Sequence, residues 1–255
     1  MKCGPINGVN LMPGVSQNSA LIRYALEGLE RCWLPEHGRW SHIYHLDGRA
    51  SPNESLPHSD VFYTLNVLLG MSRIRETPSS INLSDVFHRN AVQLTVLPVR
   101  KYALGMALWA AAELGLEVPK QVRREVRGLL TDQARWKAFH AQDLGMLLTG
   151  VVAQVRAGGH EWSCFTGPLY RFLKQRFHSG SGLFFDAGFG LRRRFASFAT
   201  QIYLSIACYH YGELAGDSSA LAMAGACARK LIELQGPRGE WPWFFDAVSG
   251  RVLDF

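Results

Sequence analysis

The chain has 255 residues, of which 47% are hydrophobic and 19% are charged, so it can bury a large apolar core in one large domain or two small ones. Its 27 Lys and Arg residues against 21 Asp and Glu give a formal net charge of +6. The basic residues are spread along the chain rather than interleaved with aromatic residues, which argues against a nucleic-acid partner.

The N-terminal stretch "MKCGPINGVNLMPG" is interrupted by Gly, Pro and Asn and has no sustained apolar segment, so no secretory signal is predicted. No apolar run reaches the roughly 18 residues that a membrane span requires. The five cysteines are odd in number and form no C-x-x-C pair, which favours free thiols, with Cys208 and Cys227 buried in helices. These features predict a cytoplasmic protein.

Apolar residues recur at helical spacing along most of the chain, and strand-like alternation is nearly absent. The predicted helices cover roughly residues 17–33, 58–74, 83–96, 101–116, 119–130, 137–156, 167–177, 197–215 and 218–234. Asp217 is typical of a helix N-cap, and Gly216 and Gly158 are typical of helix ends. The helix at 197–215 is apolar on nearly all sides, whereas the helix at 119–130 has a charged face, which predicts inner and outer helices.

One turn pattern follows three of these helices: Gly, any residue, an aromatic residue and then an Asp. The three copies are Gly38, Trp40 and Asp47; Gly182, Phe184 and Asp186; and Gly239, Trp241 and Asp246. In the first two copies another helix follows, and repeated helical hairpins indicate a solenoid or a closed toroid. We therefore predict a single all-α domain over residues 1–255, built from antiparallel helical hairpins as an α/α toroid, with Asp186 and Asp246 at equivalent places in successive hairpins.

The segment "ARKLIELQGPRGEW", residues 228–241, resembles the QW motif of the squalene-cyclase family and its terpenoid-cyclase and prenyltransferase relatives. The matching residues are Gln235, Gly239 and Trp241. In that family the Gln caps a helix and the Trp ring packs beside it, so the resemblance implies that Trp241 packs against the preceding helix. It also implies an α/α toroid and an isoprenoid or other apolar substrate in a central cavity.

The catalytic motifs of those relatives are absent from the sequence. There is no Asp-x-Asp-Asp acid, no D-D-x-x-D diphosphate motif and no Asp, Cys and His set at the spacing of a zinc site. His42 and His45 lie three residues apart in a loop, a spacing that could bind a metal, but nothing else in the segment supports a metal site. The glycines at 180–190 match no nucleotide fingerprint. We expect no metal and no cofactor.

A second architecture built from such hairpins is that of the six-hairpin glycosidases and sugar epimerases, in which aromatic residues and acids on loops hold a carbohydrate. Sugars stack on rings and hydrogen-bond to carboxylates. The candidate catalytic residues are Asp47, Asp60, Asp186, Asp246 and His58, and the candidate substrate-binding residues are Trp40, Phe184, Trp241 and Trp243. An Asp after such a turn can instead cap the next segment, and "HSD" at 58–60 can be a helix cap rather than an acid–base pair.

Three functions therefore stay open: an enzyme acting on an isoprenoid or another apolar small molecule, a carbohydrate-active protein, and a non-catalytic scaffold. A cavity lined by Phe and Leu without a carboxylate would favour the first or third function. A cavity lined by Trp, Asp and His would favour the second.

Only "AVSGRVLDF" follows Asp246, which is too short for another helix. We expect an incomplete toroid whose open end exposes apolar residues. The residues in question are Trp243, Phe244, Phe245, Val252, Leu253 and Phe255. Since soluble monomers seldom expose such a patch, a second copy or a partner chain is expected to cover it.

Overall fold

A computed structural model describes residues 19–74, 81–97 and 101–255. This part of the chain is largely helical, in agreement with the sequence. Its α-helices are α1 Ser19–Cys32, α2 Pro57–Met71, α3 Leu83–Gln93, α4 Lys101–Leu114, α5 Lys120–Thr131, α6 Ala141–Arg156, α7 Ser163–Phe177, α8 Phe198–Ala215 and α9 Ser218–Leu234. Each predicted helix has a counterpart here.

Three small antiparallel sheets, which the sequence did not predict, join the helices. The strands are β1 Trp33–Leu34, β2 Arg39–Trp40, β3 Ile43–Tyr44, β4 Ala50–Ser51, β5 Phe195–Ser197, β6 Phe244–Asp246 and β7 Val252–Asp254. Strand β1 pairs with β2, β3 pairs with β4, and β6 lies between β5 and β7. Strands of two or three residues are too short to show a periodic pattern, and so they escape sequence reading.

Helices α2, α4, α6 and α8 pack side by side in that order and form an inner row. Residues near the start of each helix contact residues near the start of its neighbour, and residues further along contact residues further along the neighbour. The four helices are therefore parallel. The contacts are Phe62 to Tyr102 and Arg73 to Glu113 for α2 and α4, Tyr102 to Asp143 and Leu108 to Gln154 for α4 and α6, and Gln142 to Thr200 and Arg156 to His210 for α6 and α8. Within the described chain, α2 and α8 are the two ends of the row.

The middle of the row is held by glycines on α4 and α6. A Cβ added to Gly150 would lie 2.3 Å from the carbonyl oxygen of Gly105, and a Cβ added to Gly105 would lie 2.3 Å from that of Met146. The two backbones are therefore in direct contact, which only glycine permits. This contact fixes the register of α4 against α6.

The remaining helices lie outside the row, where α3 packs on α2, α7 on α6 and α9 on α8. Sequence caps explain the sharp turn between α8 and α9. Gly216 ends α8 at a φ of +64°, and the Asp217 carboxylate accepts hydrogen bonds from the backbone N–H groups of Ser219 and Ala220. Both predicted caps are confirmed.

The four described cysteines, Cys32, Cys164, Cys208 and Cys227, are free thiols. Cys208 and Cys227 are buried, as predicted, and burial raises their pKa values to about 12 and about 11. Cys3 lies outside the described residues. The buried pair is therefore part of the core between α8 and α9.

The C-terminal segment folds back as β6 and β7 onto β5, just before α8. Phe245 is fully buried there, which differs from the expected exposed patch. Trp243, Phe244, Leu253 and Phe255 are exposed by 65, 44, 38 and 54%, and Val252 is half-buried. That another chain covers these side chains stays a prediction.

Candidate binding cleft at the N-terminal ends of the inner helices

A cleft lies where α4, α6 and α8 begin. Two adjoining cavities of about 450 and 420 Å³ share three lining residues, His140, Asp186 and Phe244. The other lining residues are Ala187 and Phe195 in the first cavity, and Tyr102, Gln142, Ser197 and Thr200 in the second. The floor is thus polar, and the walls are aromatic.

Asp186 reaches the cleft because it follows a buried turn. Two residues earlier, the backbone N–H of Phe184 donates to the side-chain oxygen of Gln201 on α8, and the Gln201 amide donates back to the Phe184 carbonyl. The Oδ1 atom of Asp186 accepts hydrogen bonds from the backbone N–H and the hydroxyl of Ser197, at 2.8 and 3.2 Å. Its Oδ2 atom accepts none from the described residues, so it remains available to a ligand.

Gln142, on the first turn of α6, is oriented by the same network. The Ser197 hydroxyl donates its one hydrogen to Oδ1 of Asp186 at 3.2 Å or to Oγ1 of Thr200 at 3.1 Å. In either case it can only accept from Gln142, whose Nε2 lies 3.1 Å away. The same Nε2 lies 3.2 Å from Oγ1 of Thr200. Both amide hydrogens are then used, and the Oε1 atom of Gln142 is left as a second acceptor without a partner in the described chain.

His140 is placed by the start of α6. Its backbone N–H donates to Oδ2 of Asp143 at 3.3 Å, and the next N–H, of Ala141, donates to the carbonyl of Asp186 at 3.0 Å. His140 also lines a third cavity of about 370 Å³, beside Phe189. The sequence reading missed His140 because the helix predicted at 137–156 enclosed it. The signal that could have identified it is the acidic residue three positions later, which is typical of a capping arrangement.

The aromatic walls are exposed to solvent. Phe195 lies on β5 and Phe244 on the paired strand β6, and they are 50 and 44% exposed. Phe189 is 58% exposed. Exposed rings beside a polar floor are what a ligand with both apolar and polar faces requires. None of these three residues was among the predicted site residues.

Asp246, a predicted site residue, does not line these cavities and has a different set of contacts from Asp186. It is 7% exposed, accepts from the backbone N–H groups of Val248 and Ser249, and pairs with Arg194 at 2.8 Å. Desolvation alone would raise its pKa, but the hydrogen bonds from Ser249, Val248 and Arg194 lower it below the ordinary value. Asp246 caps the turn between β6 and β7.

Asp47 lies on an exposed turn, away from the cleft lining. Its side chain is 50% exposed and pairs with Arg49, whose hydrogen bonds lower the pKa of Asp47. This pair is a surface contact of little energetic weight.

Asp60 is buried at the start of α2 and is bonded to His42 rather than to its neighbour His58. Its Oδ1 lies 2.7 Å from Nδ1 of His42, and its Oδ2 accepts the backbone N–H of Asn53 at 2.8 Å. His58 occupies the first turn of α2, half-buried. The structure therefore brings Asp60 together with a histidine that the sequence reading considered only as a metal ligand.

The predicted substrate-binding aromatics fall into two groups. Trp40 and Phe184 are 1 and 0% exposed and belong to the core. Trp241 and Trp243 are 41 and 65% exposed, and the Trp241 ring lies 5.4 Å from that of Phe198 on α8. That Trp241 also packs against the preceding helix, α9, stays a prediction. Within the turn, Nε2 of Gln235 donates to the carbonyl of Gly239 at 2.8 Å.

Two kinds of feature are absent from the described residues. No group of three or more His, Cys, Asp or Glu side chains is arranged to hold a metal ion. None of the helices combines the length and the apolar character that crossing a membrane requires.

No protein-family model matches the sequence, and no curated protein matches it.

Proposed function

We propose that this protein binds a carbohydrate in the cleft formed by His140, Gln142, Asp186, Ser197 and Thr200 between the aromatic walls. The observation that carries the proposal is the pair of unpartnered acceptors, Oδ2 of Asp186 and Oε1 of Gln142, on a floor flanked by exposed rings. Sugar hydroxyls donate to such acceptors, and the C–H faces of a sugar pack on aromatic rings.

This polar floor favours a carbohydrate over the isoprenoid that the QW-like segment suggests. An apolar chain placed here would leave the Asp186 carboxylate and the Gln142 carbonyl without partners, which costs free energy. Among the described residues that line the two larger cavities, Asp186 is the single carboxylate. Glycoside hydrolysis ordinarily uses two facing carboxylates, so this geometry supports binding rather than hydrolysis.

We infer that the fold is part of an α/α toroid. Four parallel inner helices with outer helices packed against them support this arrangement, as does the antiparallel pair of α8 and α9. In such an arrangement all loops that precede the inner helices lie at one end of the molecule, where the cleft is found.

The test is calorimetric titration of the purified protein with glucose, mannose, xylose and N-acetylglucosamine and with their linear hexasaccharides. Asp186→Asn keeps the size of the side chain and removes the charge, and it is expected to weaken binding by roughly tenfold or more, as loss of a charged hydrogen bond does. Asp47→Asn is the matched control, since Asp47 bonds only to residue 49 on an exposed turn. Its affinity should equal that of the wild type.

Absence of heat and of competition with every sugar in the panel would refute the carbohydrate proposal. Equal weakening by both variants would show that the effect comes from net charge rather than from the cleft. Binding of a prenyl alcohol, unchanged by Asp186→Asn, would favour the apolar-substrate alternative instead.

A further inference from the structure

The turns before α2 and α8 repeat the same bonding pattern. Before α8, Gln201 bonds both the N–H and the carbonyl of Phe184; before α2, the Thr64 hydroxyl bonds both the N–H and the carbonyl of Trp40. In each turn, the residue two positions after the aromatic residue pairs with a second residue further along the chain. That second residue lies four positions before the Gln or Thr that bonds the aromatic residue's backbone. These pairs are Asp186 with Ser197 and His42 with Asp60. His42 is therefore the counterpart of the cleft residue Asp186.

His42 is held rigidly by buried groups. The Asn53 side-chain oxygen accepts the backbone N–H of Leu56 at 2.9 Å, which fixes the amide so that its Nδ2 donates to Nε2 of His42 at 3.0 Å. The His42 ring then carries its hydrogen on Nδ1 and donates it to Asp60, which is 1% exposed. Both ring nitrogens are used within the protein, so His42 has no nitrogen left to bind a metal or transfer a proton.

What the network provides is an immobile flat ring with a second ring stacked on it. The rings of His42 and Tyr63 lie 4.8 Å apart at an interplanar angle of 16°, and Tyr63 is 46% exposed. A side chain that is already ordered loses little conformational entropy when a ligand packs against it. The pair therefore has the character of a stacking platform.

A chain of ring contacts connects the platform to the cleft. The Phe62 ring contacts Tyr63 at 5.7 Å and Tyr102 at 4.8 Å between centroids, and Tyr102 lines the cleft. Tyr203 lies 6.2 Å beyond Tyr102, and burial, with the neighbouring Tyr102 and Tyr63, raises its pKa to about 12. Aromatic side chains thus follow the N-terminal ends of the inner helices from α2 to α8.

We propose that His42 and Tyr63 form a second subsite for the same ligand, so that the protein binds an extended oligosaccharide rather than a single sugar. This inference rests on the proposed function of the cleft. One sugar unit occupies the cleft at Asp186, and a unit further along the oligosaccharide stacks on the exposed part of the Tyr63 ring.

The experiment compares each monosaccharide with its linear hexasaccharide by calorimetry. Tyr63→Ala is expected to weaken hexasaccharide binding about 5- to 10-fold, the range of an aromatic contact, and to leave monosaccharide binding unchanged. Tyr63→Phe, which keeps the ring, should bind like the wild type. Tyr209→Ala removes a tyrosine that is similarly exposed, at 51%, in the C-terminal half of α8, and should change neither affinity.

Each outcome separates the two proposals. Unchanged hexasaccharide affinity in Tyr63→Ala, together with loss of binding in Asp186→Asn, would overturn the second subsite and leave the cleft standing. No binding of any sugar by the wild type would overturn both. If circular dichroism shows that Tyr63→Ala does not fold, Tyr63→Leu removes the ring while keeping apolar volume, and the same comparison then decides.

Discussion

The two ends of the inner helices carry different sets of charged side chains. At the N-terminal end lie three carboxylates, Asp60 on α2, Asp143 on α6 and Asp186 in the turn before α8. At the C-terminal end lie two arginines, Arg73 just after α2 and Arg156 on the last turn of α6. Anions are stabilised near helix N-termini and cations near C-termini, and these five residues are placed accordingly. On α4 the placement is reversed, with Lys101 on the first turn and Glu113 on the last.

The ends differ more in how completely their polar groups are paired. At the C-terminal end Glu113 accepts from Arg73 and from the Trp109 indole at 3.0 Å, and Arg156 donates to Nδ1 of His210 at 2.9 Å. At the N-terminal end the acceptors of Asp186 and Gln142 face a cleft. At the C-terminal end the polar groups bond to one another and connect the helices. At the N-terminal end the unpartnered acceptors are where a ligand can bind.

The largest expected effect comes from the glycine contact on which both ends depend. Gly150→Ala would force α6 away from α4, because the added Cβ meets backbone that cannot rotate aside. We expect a loss of about 3 kcal/mol or more in the free energy of unfolding, at the upper end for overpacking. Urea denaturation followed by circular dichroism measures it.

Gly128→Ala on α5 is the matched control, since nothing lies within 4 Å of the added Cβ. It should stabilise the protein by about 0.5 to 1 kcal/mol through helix propensity. Similar midpoints for the two variants would show that α4 and α6 are not in backbone contact.

The helices were predictable because each carries its own periodicity and punctuation. The limits of α9 follow from its N-cap Asp217, and predicted and observed ranges agree at residues 218–234. Helix α7 begins earlier than predicted, at Ser163, with Pro168 inside it rather than in the first turn at 167. A proline marks a preferred start but does not forbid the turn before it when neighbouring helices supply the packing energy.

The cleft was predictable only in part. The turn pattern singled out Asp186, and Asp186 does line the cleft. The pattern was informative here because a Gly and an aromatic residue fix the local conformation of the chain. His140 and Gln142 reach the same cleft from a different helix, and their proximity to Asp186 arises from the packing of α6 on α8. One sequence without its tertiary contacts gives no distance between such segments, so the pairing of His42 with Asp60 was also missed.

The paired C-terminal end can be tested with pH. Burial, followed by the Arg156 guanidinium, lowers the pKa of His210 to about 4 from an ordinary value near 6.5, while Glu113 opposes the shift. The unfolded chain therefore binds a proton on this histidine before the folded protein does. Stability should fall as pH drops from about 6.5 to about 4, by roughly 1 to 2 kcal/mol once the exposed part of the ring is allowed for.

The measurement is the urea midpoint at intervals between pH 7 and pH 4 for the wild type and for His210→Gln. The variant should lose less stability over this range. His45→Gln, at an exposed histidine, should follow the wild type. If the urea midpoints of the wild type and His210→Gln change with pH in parallel, the contacts at the C-terminal end do not hold His210 in its uncharged form.

The last comparison is between two copies of one turn that have different surroundings. Trp40 and Trp241 each stand two residues after a glycine with positive φ, at +59° for Gly38 and +86° for Gly239. Trp40 is 1% exposed and contacts Trp33 at 4.7 Å, whereas Trp241 is 41% exposed and has its ring contact with Phe198. The same local signal thus gives a core residue in one copy and a surface residue in the other.

Trp40→Ala should therefore cost about 3 to 5 kcal/mol of unfolding free energy, as a large core deletion does, and Trp241→Ala only about 1 kcal/mol. The single aromatic contact of Trp241 and its partial burial set the lower value. Denaturant melts of the two variants measure both. A cost for Trp241→Ala as large as that for Trp40→Ala would mean that Trp241 is buried in solution, because a ring that is 41% exposed gains less transfer free energy than a fully buried one.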